Sequence, residues 1–441
     1  MRFIADLHIH SKYSRATSSD MTLESLYKWA QLKGITVLGT GDFTHPKWFQ
    51  ELQDRLDPIG NDLFKLKDNF QKDNIPTSCR AEVYFMLTAE ISSIYSKKGR
   101  TRKIHNLIFV PDFSTALKIN TALSRIGNLS SDGRPILGLD AKHLLKIILD
   151  TSPDAMLVPA HAWTPHFSIF GSESGFDSLS ECFEELTPHI YSIETGLSSD
   201  PPMNWRLSSL DRITLISNSD AHSPSKLGRE ANIFDTSNPP SPPFSKGGQG
   251  GITKEISYGF ITNAIKTKNS FLGTIEFFPE EGKYHYDGHR SCGVRLSPKE
   301  TIQNNYACPI CGRKVTVGVM HRVEKLADRA DGFKPKDAPL YHSLIPLSEI
   351  IAENLKVGIN TKAVEKEYLK LLSTLGNESR ILMESPLSDI EKAGSPALSE
   401  AISKMRTGKV HISPGFDGEY GKIKILEDVK RKEITGQGML F

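Results

Sequence analysis

Through its first 230 residues the chain alternates short apolar runs with helix-like patterns, and polar residues of one chemical kind collect where the apolar runs stop. Phe3 to His8 reads as a short buried strand. Thr22 then caps a helix with Leu23, Leu26, Tyr27 and Ala30 on its apolar face, and Gly34 ends it. Ile35 to Leu38 is the next expected strand, followed by Val83 to Thr88, His105 to Val110, Met156 to Pro159, Ile190 to Ile193 and Ile213 to Ser217. Asp140 is placed to cap a helix with Leu144, Leu145 and Ile148 on one side. Such βα alternation predicts an α/β fold of parallel strands with helices outside, closed as a barrel or left open.

The residues at these strand ends suit metal chemistry. His8 and His10 are two apart in extended chain, so both imidazoles face the same side and can reach one ion. Alone, such a pair is a weak signal. The pattern repeats, however: Asp42 and His45 in GTGDFTHP, Glu90 in LTAEIS, His161 in VPAHAW, and Asp220 and His222 in SNSDAH. His105 in KIHNLIFV begins its apolar run rather than ending it. In parallel α/β folds the carboxyl ends of strands carry the active site on a rigid frame. Imidazoles and carboxylates suit zinc or manganese, with magnesium the alternative at a catalytic site. No nucleophilic Ser or Cys is needed, because a bound divalent ion can activate water for attack on a phosphodiester.

In combination and in order, DLHIH, TAE, AHA and SDAH resemble the motifs of the PHP phosphoesterase family over roughly residues 1–280. The resemblance implies a distorted seven-stranded (β/α) barrel with up to three metals. His8, His10, Glu90 and Asp220 would hold the first and form the catalytic set, with Glu90 bridging to a second held by His105 and His161. A third would need His222 and partners from the early loops. There the chain departs from the family pattern, with SRATS after the first motif and Phe43 after Asp42, so that His45 is the substitute ligand.

After the barrel, GHRSC at 288–292 and CPIC at 308–311 bring His289, Cys292, Cys308 and Cys311 together with the spacing of a closed, structural zinc site. His285 and His321 compete for the fourth position. Five cysteines do not make a disulfide framework, and this clustering suggests metal binding in a reducing compartment. Isolated Cys79 and Cys182 read as ordinary thiols. The net charge of +2 is uninformative, but residues 283–334 hold ten Lys or Arg against five Asp or Glu. With the run KKGRTRK at 97–103, this is the kind of surplus that attracts polyanions. Lys97, Arg100, Arg102, Arg290, Arg313, Lys314 and Arg322 are the candidate phosphate contacts.

Three regions follow: a barrel over 1–280, a zinc-binding module over 283–322, and a mainly helical C-terminal region over 323–441, expected to clamp DNA. The run PPSPPFSKGGQGG at 239–251 reads as a surface insert within the barrel, or as a linker. The longest apolar runs fall far short of the roughly 18 residues that a membrane span needs. The N-terminus has no extended apolar stretch, and a cytoplasmic location is expected.

GTGDFTHP, FLGTIEFFPEEGKYH, GHRSCGVRL, CPICGRKVTVGVMHRVEKLADR and PGFDGEYGKIKI together resemble the endonuclease Q family, a PHP branch. That resemblance implies a metal-dependent repair nuclease acting on double-stranded DNA. It would nick 5′ of deaminated bases (hypoxanthine, uracil, xanthine) and abasic sites, leaving a 3′-hydroxyl and a 5′-phosphate. The alternatives are a PHP phosphatase for a small phosphate ester and a non-catalytic DNA-binding zinc protein.

Overall fold

A computed structural model describes residues 1–71, 74–237 and 256–425. The Pro/Gly-rich run at 239–251 lies outside them. The first helix, α1 (Leu23–Lys33), forms as its ends dictate. The Thr22 side chain accepts from the Ser25 N–H, Leu23, Leu26 and Ala30 are buried, and Gly34 closes the helix at φ 84°. That left-handed conformation is cheap only for glycine. The second expected helix, α2 (Ala141–Thr151), starts on the Asp140 side chain and buries Leu144, Leu145 and Ile148.

The central sheet is mixed. Parallel pairs join β1 (Arg2–Asp6) to β2 (Val37–Gly39), and β2 to β3 (Tyr84–Lys97). β3 then turns back on itself as a long antiparallel hairpin with β4 (Arg100–Val110), paired from Leu87↔Val110 to Lys97↔Arg100. The expectation of parallel strands alone is therefore corrected. Lys98 (φ 52°) and Gly99 (φ 73°) make the two-residue turn, in the left-handed region that such hairpins require. β5 (Met156–Pro159) pairs antiparallel with β4. Beyond it, the Ala162 N–H donates to the Glu194 carbonyl at the end of β6 (Ser192–Glu194), which pairs in parallel with β7 (Thr214–Ile216). The loop after β7 returns to the loop after β1 through a parallel bridge, Ile9↔Ala221.

On the other side of β1, β8 (Ala231–Asp235) and β9 (Phe271–Glu276) pair antiparallel. β10 (Leu340–Ser343) then adds in parallel to β9. The C-terminal region thus contributes a strand to the main sheet. Two of its helices, Lys362–Leu375 and Glu378–Met383, meet α1, the first through Tyr368 against Trp29. Buried Glu378 fixes this contact. It pairs with Lys33 at 2.6 Å and accepts from the Tyr368 hydroxyl and the Leu347 N–H.

Candidate metal centre and cysteine module

His8 and His10 leave β1 on the same side, and each is held from behind by a buried carboxylate. Both oxygens of Glu194 lie 3.0 Å from His8 Nδ1. Asp42 Oδ1 lies 3.0 Å from His10 Nδ1. A carboxylate at Nδ1 makes that nitrogen the donor and leaves Nε2 as a lone pair, the arrangement that orients metal-ligating histidines. The two Nε2 atoms then face Glu90 Oε2, at 3.4 and 3.2 Å, and Asp220 Oδ1, at 3.6 and 3.0 Å.

His8 Nε2, His10 Nε2 and Asp220 Oδ1 are buried without a hydrogen-bond partner among the described residues. Donor atoms 2.0–2.1 Å from a tetrahedral ion would stand roughly 3.3 Å apart, which is the spacing seen here. Electrostatics point the same way. Burial opposes charge on His8, but Glu194, Glu90 and Asp220 override it and raise its pKa well above the usual value. His10 is raised likewise by Asp42, Asp220 and Glu90. The pocket therefore demands positive charge, and its orphaned donors fit a divalent ion.

Glu90 lies inside β3 rather than at a strand end, and it faces two ways. Its Oε1 is 2.8 Å from His105 Nδ1 and 3.1 Å from His161 Nε2, while its Oε2 belongs to the first group. His105 and His161 are 3.1 Å apart, so these three residues form a second ligand set sharing one carboxylate with the first. Burial brings the His105 pKa down to about 4 despite Glu90, which keeps its imidazole neutral, as a ligand must be. Asp42 (φ 49°), His161 (φ 27°) and Asp220 (φ 46°) all hold left-handed backbone. Non-glycine residues rarely adopt it, and it collects at functional sites.

Three expected ligands stand outside both groups. Asp42 spends its oxygens on His10, the Ser11 N–H and hydroxyl, and the Ser14 hydroxyl, so it positions a ligand instead of being one. His45 begins the helix Pro46–Arg55 and stacks on Tyr13 with ring centroids 4.5 Å apart. His222 lies beside the first group, its ring centroid 4.6 Å from that of His10 and its Nδ1 on the Asp220 carbonyl at 2.8 Å.

Two residues of the site escaped sequence reasoning. Glu194 ends β6 in SIETG, where the rule applied to the other strands would have found it. Besides His8, it accepts from the Asn218 amide and the His161 N–H. Arg134 comes from a loop with no motif, and its Nη1 reaches Glu90 Oε2 at 3.0 Å. Glu194→Gln should lower metal affinity or turnover by about 10–100-fold, the usual cost of losing such a support. Metal titration followed by turnover at saturating metal checks this, and an unchanged affinity and rate would contradict it.

A family model described as the MJ0043 C-terminal domain matches residues 346–409. Protein MJ0043 of Methanocaldococcus jannaschii is 35% identical over 280 residues, 62% of this chain and 33% of that one. The chain thus spans about a third of the length of that relative. Protein YqxK of Bacillus subtilis is 28% identical across 96% of this chain and 99% of its own. Among solved structures, the lesion-specific endonuclease PfuEndoQ of Pyrococcus furiosus is 32% identical, with a TM-score of 0.81 over 98% of both chains. The chain belongs to the endonuclease Q family. A second structure of endonuclease Q, bound to a 27-mer duplex substrate with an abasic lesion at the active site, is also 32% identical, with a TM-score of 0.79 over 99% of both chains.

In this endonuclease Q relative, the cysteine module is built on two short paired strands, Asp287–His289 and Val294–Leu296. His289, Cys292, Cys308 and Cys311 present ligand atoms that all lie within 4.8 Å of one another. Burial acts against ionisation of Cys308, but the N–H groups of Cys311 and Ile310 bring its pKa to about 6. The competing histidines are elsewhere. His321 Nδ1 bonds Asp287 at 2.7 Å, and His285 is buried apart from the cysteines.

The candidate phosphate contacts divide sharply. Arg100, Arg290, Arg313 and Lys314 are exposed. Three others are structural, which corrects the reading of them as DNA contacts. Lys97 pairs with Glu184 at 2.9 Å and bonds the Cys182 carbonyl. Arg102 is buried, donates to the Gly175 carbonyl and lies over the Phe176 ring. Arg322, on the helix Val319–Leu326, is also buried, and it reaches the Phe170 and Phe176 carbonyls and Asp177. It latches its helix onto the segment between β5 and β6, helped by Glu324 on Arg206 and Arg329 on Asp211. Arg322→Ala, by orphaning two carbonyls and a carboxylate, should cost about 2–3 kcal/mol. Denaturant unfolding measures this, and an unchanged midpoint would contradict the latch.

Proposed function

We propose that the chain is a metal-dependent DNA repair endonuclease that nicks duplex DNA 5′ of deaminated bases and abasic sites, leaving a 3′-hydroxyl and a 5′-phosphate. The observation that carries this reading is the pair of ligand sets sharing Glu90 within a chain similar over its whole length to endonuclease Q. Bound divalent ions, zinc or manganese by donor type, would activate water and neutralise charge on the phosphodiester. The protein supplies the rest. Glu194 and Asp42 fix the tautomers of His8 and His10, and the shared carboxylate sets the spacing between the two ligand sets. We read the seven strands β1–β7 as the distorted PHP barrel. The Ala162–Glu194 hydrogen bond and the Ile9↔Ala221 bridge support its closure. We read the cysteine module as a structural zinc site and, with Arg290, Arg313 and Lys314, as part of the duplex-binding surface together with the C-terminal helices. No helix among the described residues is long and apolar enough to cross a membrane, and a cytoplasmic location completes this reading.

A lesion enzyme must expose the nucleotide it reads, and flipping costs least where pairing is already weak. A cavity of about 460 Å³ opens between the barrel rim and the module, bounded by Thr164, Pro165, Arg229, Tyr284 and Tyr420. Thr164 lies 3.2 Å from His161 Nδ1, and Arg229 bonds the carbonyl of Ser219, next to Asp220. The position and aromatic lining suit an extruded nucleotide.

The test is divalent-metal-dependent nicking of a labelled duplex with one abasic site beside the intact duplex. Preferential nicking of the lesion duplex is expected. Equal cutting of both would leave a nuclease without a repair role. Turnover of small phosphate esters alone would move the chain to the small-molecule phosphatases.

A further inference from the structure

Arg134 is held beside Glu90, the carboxylate that the two ligand sets share. The Gly133 N–H donates to the Tyr13 carbonyl at 3.0 Å, in the loop that follows His10. Gly133 also packs against the Asp42 carboxylate and the Ser14 hydroxyl so tightly that any side chain there would collide. On the other side of Arg134, the Pro135 carbonyl accepts from the Ser92 N–H, two residues beyond Glu90 on β3. The Arg134 N–H donates to Asp132, which also holds Arg15. The loop is therefore clamped to both the His10 and the Glu90 segments.

The side chain lies over the metal centre. Nη1 contacts Glu90 Oε2, the oxygen that also faces His8 and His10. The remaining guanidinium N–H groups have no hydrogen-bond partner among the described residues, and the side chain is 27% exposed. One arm is thus anchored on the carboxylate that both ligand sets share, and the others are left free beside it. A planar fork of donors beside a dicationic site is the geometry that recognises phosphate oxygens.

We propose that Arg134 is a catalytic residue, its free N–H groups binding the non-bridging oxygens of the scissile phosphodiester and stabilising the charge that builds on them in the transition state. In the hydrolysis, water gives its hydroxyl to phosphorus and, in net terms, its proton to the departing 3′-oxygen, while Arg134 keeps its own proton. This rests on the reading of the chain as a lesion endonuclease.

The experiment compares wild type, Arg134→Ala and Arg134→Lys on a duplex with one abasic site. It measures single-turnover cleavage, bound metal and duplex affinity. The alanine variant should cleave about 100–1000-fold more slowly, the effect of losing one transition-state donor. Its metal content and duplex affinity should stay near wild type, and millimolar guanidinium should restore part of the rate to that variant alone. The lysine variant should remain well below wild type, since it lacks the fork. Three results would overturn the inference: cleavage at the wild-type rate, a rate loss reversed by excess metal, which would leave Arg134 merely supporting Glu90, or a loss confined to duplex affinity. A wild-type protein that cuts no lesion duplex would instead overturn the functional reading, and the inference with it.

Discussion

His8→Ala and Asp220→Ala should each abolish most strand cleavage while leaving duplex binding close to that of the wild type. Both residues belong to the first ligand set, where His8 Nε2, His10 Nε2 and Asp220 Oδ1 have no hydrogen-bond partner among the described residues and face Glu90 Oε2. Removing one donor costs the charge stabilisation that a correctly held ion gives, several kcal/mol. About 4 kcal/mol is about a thousandfold in rate. On the proposed reading, duplex affinity would rest instead on the exposed cations Arg290, Arg313 and Lys314, well apart in sequence from His8 and Asp220. Rates and dissociation constants measured on the same lesion duplex check the pair of expectations. Wild-type turnover in both variants would remove this group from the chemistry.

Cys308→Ser should release the zinc proposed for the cysteine module and unfold the module locally. The module has little else to hold it: its buried apolar cluster is Leu296, Cys308 and Val315, with Cys292 and Val294 alongside. So small a core cannot stabilise itself. On the reading of a structural zinc site, zinc binding there would be folding free energy, and losing a thiolate would lose both. The two ligand sets should survive, because they come from β3, β4 and the loops after β1, β5 and β7. Duplex affinity should fall about tenfold or more, about 1.4 kcal/mol or more, while hydrolysis of a small phosphodiester changes far less. Zinc content by elemental analysis, read beside both activities, checks this. Equal loss of both activities would mean that the module holds the barrel together, through the Arg322 latch.

What could be read from the sequence was set by how local each signal is. Helix α1 was legible because Thr22, its apolar face and Gly34 lie within thirteen consecutive residues. The metal centre was legible because one chemistry recurs after successive strands. Glu194 was missed only because it carries no motif, although it obeys the same rule. Arg134 has no local signal, since its partner Glu90 lies 44 positions away. The hairpin was hidden for another reason. Lys98-Gly99 is a turn, but it sits among cations, and a run of cations carries the signature of a polyanion site. Arg102 and Arg322 show the same limit. A charge cluster looks alike whether it meets phosphate or a carbonyl of its own chain, and Asp177 is 145 residues from Arg322.

The most direct measurement of the central claim maps the cut. The full chain, supplied with manganese or zinc, is given a labelled duplex carrying a single deoxyinosine, and the products are sized and offered to a polymerase. The account predicts one nick immediately 5′ of the lesion, an extendable 3′-hydroxyl upstream, and the altered base still attached to the downstream strand. Release of free base before scission, or cutting scattered equally over undamaged positions, would contradict it.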